Sequence, residues 1–152
     1  MQLHLGCGND YREGYINVDM GDCKCDVKHD ISVVPWPFED DSFDSILAIN
    51  VLEHLPKNNF AGYIREMRRV SKDGALWDIN VPEAGSNNFW TDPTHTMPYT
   101  TRSFDFFDKS KPLYENGVIY GWGDIDITVN EATLIPNQPN GPDIRFSIKV
   151  NK

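Results

Sequence analysis

The stretch MQLHLGCGNDYREGYINVDM, residues 1–20, places a glycine pair between two short apolar segments. Residues 2–5 predict a strand that runs into Gly6–Gly8, and residues 15–18 predict a second strand that ends at Asp19. A Gly-x-Gly directly after a strand lets backbone N–H groups approach a ligand, and an acid at the tip of the next strand accepts hydrogen bonds from ribose hydroxyls. The spacing is typical of nucleoside-binding α/β folds. A structural turn at the glycines and a plain turn acid at residue 19 are the alternatives.

The rest of the chain alternates strands with helices or loops up to Pro82 and then changes character. This alternation predicts a parallel sheet with crossover connections. Beyond residue 101, apolar and polar residues alternate between Asn-Gly turns, which predicts antiparallel strands added at the sheet edge. The predicted elements are strands at 27–31, 43–49 and 75–81, a helix at 58–70, a loop at 83–101, a short helix at 103–107, and strands at 118–120, 125–134 and 144–150.

Composition excludes several classes of protein. The chain has 152 residues and a formal net charge of −9, which predicts one domain, residues 1–152, and disfavours a nucleic-acid partner. No apolar run approaches the ~20 residues of a membrane span, and the first residues are typical of a strand, not of a signal peptide. The three cysteines are an odd number, which favours a reduced protein in the cytoplasm.

A nicotinamide or flavin enzyme is the first specific alternative. Its motif is G-x-G-x-x-G, whose third glycine lets a helix pack closely against the strand. Residues 6–11 read GCGNDY, so the third glycine is missing. The distance along the chain from Gly8 to Asp19 is also too short for a full helix followed by a strand. Dinucleotide binding is therefore disfavoured.

Five segments occur in order between Gln2 and Pro82: LHLGCGN, INVDM, HDI, PWPFEDDSFDSILAINVLEHL and EMRRVSKDGALWDINVP. Together they resemble a class I S-adenosylmethionine-dependent methyltransferase of a compact, methyltransferase type 11-like subgroup. The resemblance implies a Rossmann-like α/β fold, with a mostly parallel sheet and antiparallel C-terminal strands. The N-terminal helices are expected to be reduced or absent, because Met1 directly precedes the first strand and residues 9–14 form only a loop.

The resemblance also implies the residues that bind the cofactor S-adenosylmethionine. Its methionine part is expected over Gly6, Cys7 and Gly8, and its ribose at Asp19. Its adenine is expected beside Met20 and Ile31, with the adenine amino group at Asp30, and Asn50 is expected in the methyl-transfer pocket. Asp30 as a helix or turn cap remains an alternative.

Glu53 and His54 match an E-H pair of the family and are predicted to bind the acceptor. The alternatives are that His54 is a structural histidine at a helix end and that Glu53 holds the neighbouring loop.

The predicted reaction centre is the loop NNFWTDPTHTMPYTTRSF, residues 87–104, which follows the fifth strand and should lie over the cleft. His95 is predicted to be a general base or an acceptor-binding residue, with Asp92 orienting it; a base of this kind contributes ~10²–10⁴-fold. Trp90 and Tyr99 are predicted to bind the acceptor. The alternative is that Asp92 and His95 only pin the loop and that Trp90 anchors it.

No metal is predicted. Cys23 and Cys25 with His29 lack the usual C-x₂₋₄-C spacing and an evident fourth ligand for zinc. A divalent ion held by Glu53, Asp92 and His95 remains an alternative.

The sequence therefore predicts a cytoplasmic enzyme that methylates an oxygen or nitrogen of a small molecule or saccharide. The alternative is a non-catalytic S-adenosylmethionine-binding module with a regulatory or structural role. Neither nucleic acid nor a membrane is expected as a partner. A homodimer is plausible because edge strands and an open cofactor site are expected to be exposed.

Overall fold

The computed structural model describes residues 1–136 and 139–152, which form one seven-stranded sheet with a few short helices. The strands are β1 Gln2–Leu5, β2 Tyr15–Asp19, β3 Val27–Lys28, β4 Phe43–Ile49, β5 Ser71–Pro82, β6 Ile127–Ile135 and β7 Asp143–Val150. The α-helices are α1 Phe60–Val70, α2 Asn87–Thr91 and α3 Tyr114–Ile119, and single 3₁₀ turns cover Leu52–His54, Lys57–Asn59 and Asp105–Phe107.

The strand order is β3-β2-β1-β4-β5-β7-β6. Strands β1 to β5 pair in parallel, whereas β7 lies antiparallel to both β5 and β6. The predicted mostly parallel sheet with antiparallel C-terminal strands is therefore confirmed. The chain order reverses between β1 and β4, and ligands of open α/β sheets bind at the carboxyl ends of strands at such a point.

One face of the sheet carries the hydrophobic core. Leu3 and Ile46 from the strands and Ile64 and Met67 from α1 belong to one buried cluster. Since side chains alternate along a strand, His4 lies on the opposite face. There the segment between β1 and β2 contains turns and no helix, as the sequence predicts.

Several helices and strands begin or end at other residues than predicted, and one predicted strand is wrong. Residues 118–120 do not form a strand; they lie at the end of α3 and just after it. The helix is favoured because Gly117 packs against residue 106: an added Cβ would lie 2.2 Å from the Phe106 carbonyl oxygen. Tyr120 and Trp122 then both contact the Phe106 ring.

The other differences are smaller. Strand β5 begins at Ser71, four residues before its predicted start, and pairs there with Phe43. The predicted third strand shrinks to two residues. The predicted loop 83–101 contains α2 and an isolated parallel bridge between Glu83 and Tyr99.

The longest described helix, α1, has 11 residues. None of the helices in residues 1–136 and 139–152 combines the length and apolar character that crossing a membrane requires.

Candidate functional site

Two adjoining cavities lie at the carboxyl ends of β1, β2 and β4. The first, here called the glycine cavity, has a volume of about 270 Å³. The second, the histidine cavity, has a volume of about 220 Å³. The glycine cavity is lined by Gly6, Asp19, Met20, His29, Asp30, Ile31, Ser32, Val51, His54, Leu55 and Pro56. The histidine cavity is lined by Asn50, Glu53, His54, Asn88, Thr91, Asp92 and His95. His54 belongs to both linings, so the two cavities adjoin at this side chain.

The floor of the glycine cavity depends on Gly6. Its φ of +59° is in the left-handed region that favours glycine. An added Cβ would lie 2.2 Å from Cγ2 of Val51, a side chain that also lines this cavity. Both the backbone and the space therefore require glycine at this position.

Asp19 ends β2 and turns its carboxylate toward the glycine loop. Oδ2 accepts a hydrogen bond from the Gly8 N–H at 2.8 Å, and Oδ1 accepts one from the Gly21 N–H at 2.7 Å. Burial raises the pKa of Asp19, but these N–H donors outweigh burial, so the pKa is below its usual value. The carboxylate is thus ionised at neutral pH, and each oxygen keeps a lone pair for a further donor.

The remaining residues predicted to bind the cofactor are divided between the cavities. Met20, Asp30 and Ile31 line the glycine cavity. Asp30 also closes a turn, since its Oδ1 accepts from the Ser32 N–H at 2.9 Å. Asn50 lines the histidine cavity instead, and Cys7 is buried beneath the loop, where burial raises its thiol pKa to about 12.

Glu53 is the most unusual group of the histidine cavity. Its side chain is 1 % exposed, and neither carboxylate oxygen has a hydrogen-bond partner in the part of the chain that the structure describes. Burial raises the pKa of Glu53 to about 8, and the carboxylates of Asp143 and Asp92 contribute to this rise. Its backbone carbonyl accepts from the N–H groups of residues 96 and 97, which holds the loop that carries His95.

His95 faces Glu53 across the cavity. The Nδ1 atom of His95 lies 2.9 Å from the Phe89 carbonyl oxygen, which can only accept, so Nδ1 carries the proton. The other ring nitrogen, Nε2, lies 3.9 Å from Glu53 Oε1 and 3.8 Å from Asp92 Oδ2. The ring is therefore oriented by the Phe89 carbonyl, whereas Asp92 faces the nitrogen that points into the cavity.

His54 is held in a similar way. Its Nδ1 lies 2.9 Å from the Thr94 hydroxyl, which itself donates to Asp92 Oδ1 at 2.7 Å. Because the hydroxyl proton is already used, His54 Nδ1 must donate, and its Nε2 keeps a lone pair. Burial and the neighbouring His95 lower the pKa of His54, which favours the neutral ring.

Two residues predicted to bind the acceptor line neither cavity. Trp90 is 73 % exposed, and its Nε1–H donates to the Ala84 carbonyl at 2.9 Å. Tyr99 is 1 % exposed and stacks on Phe104 in the core. The bridge between Glu83 and Tyr99 fixes this inward direction, and no local sequence signal reveals it.

Sequence reasoning missed Val51, Asn88 and Thr91 as cavity residues. Asn88 and Thr91 lie on α2, which begins after Ser86, whose Oγ accepts from the Phe89 N–H at 3.2 Å. Helix-capping rules applied to Ser86 would have identified α2 and its i, i+3 pair of polar residues.

Residues 22–77 match the family model described as "Methyltransferase domain". No curated protein matches the chain. Among solved structures, an S-adenosylmethionine-dependent methyltransferase from Archaeoglobus fulgidus is 19 % identical, with a TM-score of 0.61 over 99 % of this chain and 85 % of that one.

Two further solved structures are similar to this chain over most of its length. The 1,6-didemethyltoxoflavin-N1-methyltransferase of Burkholderia thailandensis, crystallised with its acceptor and S-adenosylhomocysteine, is 11 % identical, with a TM-score of 0.64 over 99 % of this chain and 71 % of that one. The [4+2]-cyclase SpnF is 12 % identical, with a TM-score of 0.64 over 99 % of this chain and 74 % of that one.

At these identities, the structural likeness establishes the fold. The family match, which covers part of the chain, agrees with it, and together they confirm the resemblance to class I S-adenosylmethionine-dependent methyltransferases.

Proposed function

We propose that this chain, which has the fold of the class I S-adenosylmethionine-dependent methyltransferases, transfers a methyl group to an oxygen or nitrogen of a small molecule or saccharide. The single domain comprises residues 1–152. One observation carries the proposal: the glycine cavity, with its ionised Asp19, joins the polar histidine cavity at His54. A cofactor site thus adjoins a polar acceptor site.

The residues of the glycine cavity fit S-adenosylmethionine. The close backbone approach at Gly6 suits an extended ligand chain, and the free lone pairs of Asp19 suit two vicinal hydroxyls. Ile31 and Met20 offer apolar surface to a planar ring, next to the carboxylate of Asp30. When bound, the cofactor supplies a methyl group on a positively charged sulfur.

The histidine cavity suits a hydroxyl-bearing acceptor. Asn50, Asn88 and Thr91 line it with amide and hydroxyl groups that bind and orient such a molecule. His95 Nε2, with its free lone pair, takes the acceptor proton or holds the acceptor, and Asp92 Oδ2 lies 3.8 Å from this nitrogen. If His95 is the base, its Nε2 would accept the proton of the acceptor's hydroxyl or amine group.

The acceptor class also draws on one related structure. The Burkholderia thailandensis enzyme acts, as its name states, on a nitrogen of a small molecule. The net charge of −9 supports an acceptor other than nucleic acid. A cytoplasmic location and a homodimer remain predictions of the sequence.

The test begins with calorimetric titration of S-adenosylmethionine and S-adenosylhomocysteine. We expect micromolar binding of both, followed by formation of S-adenosylhomocysteine when polyhydroxylated and amine acceptors are screened. In His95→Asn, turnover should fall by about 10²–10⁴-fold while cofactor affinity stays within about twofold. No binding up to millimolar concentrations would refute the proposal, and binding without turnover on any acceptor would favour the non-catalytic module.

A further inference from the structure

The histidine cavity holds a set of acceptor atoms that face one another. Within residues 1–136 and 139–152, Glu53 contributes a carboxylate whose two oxygens are buried and have no hydrogen-bond partner. His95 Nε2 lies 3.9 Å from Glu53 Oε1 and 3.8 Å from Asp92 Oδ2. One ligand atom each of Glu53, His54 and His95 lie within 4.8 Å of one another. Buried lone pairs without a donor are unfavourable, and a positive charge at the centre of the cluster would compensate them.

The hydrogen bonds of both histidines leave one ring nitrogen of each with a lone pair. His95 donates its Nδ1 proton to the Phe89 carbonyl, and His54 donates its Nδ1 proton to the Thr94 hydroxyl. Metal-bound histidines are commonly held in this way, with one nitrogen donating to an oxygen and the other on the metal. The Thr94 hydroxyl in turn donates to Asp92, which ties that carboxylate to the same cluster.

Protonation of Glu53 does not create a hydrogen bond between its carboxyl group and His95. A protonated carboxyl would place its hydroxyl 3.9 Å from His95 Nε2, which is too far for a hydrogen bond. Ligand atoms bonded to one metal ion at about 2.0–2.2 Å lie about 3.0–3.5 Å apart. His95 Nε2 is a few tenths of an ångström farther than this from Glu53 Oε1 and Asp92 Oδ2, whereas the His54 atom is placed only within 4.8 Å of the other two, so side-chain rotation must bring His54 closer on binding.

We infer that Glu53, His54 and His95 bind a divalent first-row transition-metal ion, with Asp92 beside it as a further oxygen donor. Two imidazoles and one carboxylate suit Zn²⁺, Fe²⁺, Mn²⁺ or Co²⁺, whereas Mg²⁺ and Ca²⁺ prefer sites made of oxygen alone. Three protein ligands leave coordination positions open toward the histidine cavity.

The role of the ion rests on the proposed function, whereas its binding does not. Bound there, the ion would act as a Lewis acid that lowers the pKa of an acceptor hydroxyl in the histidine cavity. Asp92, whose side chain is 44 % exposed, would lie beside the ion as an oxygen donor. His95 holds the acceptor through the metal in this arrangement, which decides between the two roles predicted for it.

A second group of possible metal ligands must be distinguished from the cluster of Glu53, His54 and His95. Cys7, Asp19 and Cys23 also bring ligand atoms within 4.8 Å of one another, next to the glycine cavity. Both thiols must lose their protons to bind a metal, and burial raises the pKa of Cys7 to about 12. A spectroscopic readout distinguishes the clusters, because thiolate ligands give Co²⁺ a sulfur-to-metal charge-transfer band that nitrogen and oxygen ligands lack.

The experiment titrates Co²⁺ and Zn²⁺ into the full-length protein after treatment with a chelator, without cofactor or acceptor. We expect about one Co²⁺ per chain, with visible d–d bands and no thiolate charge-transfer band. Glu53→Gln and His95→Asn should each lose at least about 100-fold in affinity, since loss of an outer-sphere partner already costs about 10–100-fold. His29→Asn and Cys23→Ser, which lie outside the cluster, should bind as the unchanged protein does.

Circular dichroism shows whether each variant is folded, and Glu53→Gln, which keeps the side-chain shape, serves if His95→Asn unfolds. Absence of saturable binding up to millimolar Co²⁺ would overturn the inference. So would binding that shows a charge-transfer band and disappears in Cys23→Ser. If the metal binds but S-adenosylmethionine does not, the proposed function fails alone; the reverse result removes only the metal site.

Discussion

Replacing Asp19 with alanine is the sharpest test of the glycine cavity. In the proposed complex, the ionised carboxylate accepts hydrogen bonds from two ribose hydroxyls through lone pairs that the Gly8 and Gly21 N–H groups leave free. A hydrogen bond to a charged group contributes about 1.5–3 kcal/mol, so the loss of two costs about 3–6 kcal/mol. The dissociation constant should therefore rise by about 10²–10⁴-fold.

The assay is calorimetric titration of S-adenosylhomocysteine, which keeps the ribose, into the two proteins at the same pH. Asp22→Ala is the matched control, because Asp22 is an exposed acid three residues along the same segment and lines neither cavity. It removes the same charge and should leave the dissociation constant within about twofold.

Thermal unfolding separates this effect from damage to the glycine loop. Alanine also leaves the Gly8 and Gly21 N–H groups without their carboxylate acceptor, but the segment is partly exposed, so water can replace it. If Asp19→Ala is folded and its affinity stays within about threefold of the unchanged protein, the carboxylate does not meet the ribose, and the assignment of the glycine cavity is wrong.

Two further predictions concern the loop and the core. Gly6→Ala would place a Cβ 2.2 Å from Val51 Cγ2 at a backbone φ of +59°. The substitution should therefore lower the free energy of unfolding by about 2–4 kcal/mol and weaken cofactor binding. Equal urea midpoints for Gly6→Ala and the unchanged protein would contradict this. Burial raises the pKa of Glu66, but bonds from Arg69 and from the Trp36 N–H at 2.6 Å outweigh it, so the pKa lies below its usual 4.5. Its stabilisation is therefore present above pH 4.5 and is lost as the pH falls through the native pKa. Glu66→Gln should cost about 1–3 kcal/mol at neutral pH and flatten this acid dependence in urea unfolding; an unchanged acid dependence would contradict the assignment.

Much of the fold follows from local patterns. β1 and β4 begin and end where apolar segments meet turn residues, and the helical spacing before Val70 gives the end of α1 correctly. The errors fall where packing overrides pattern. Residues 118–120 alternate like a strand, yet the close contact at Gly117 places them at the end of a helix.

The sequence predicted several of the residues that line the glycine cavity. The register Leu5↔Val18 of parallel neighbours brings Gly8 to Asp19, although eleven residues separate them in the chain. Because β1 and β2 are consecutive and joined by a short loop, this contact needs little more than strand pairing. Gly6, Asp19 and Ile31 therefore lie where the motif predicts a ligand.

The histidine cavity depends on the tertiary structure. The sequence predicted Glu53 and His54 as site residues through the family resemblance, and Asp92 and His95 through their place in the loop after the fifth strand. It left open which of them meet, and Tyr99, which it also predicted for the acceptor site, is 1 % exposed. Only the folded chain places His95 against Glu53 and makes the Phe89 carbonyl fix its proton, because both contacts depend on the path of the loop after β5. The spacing of residues thus determined which groups are present, and long-range packing decided which lone pairs face each other.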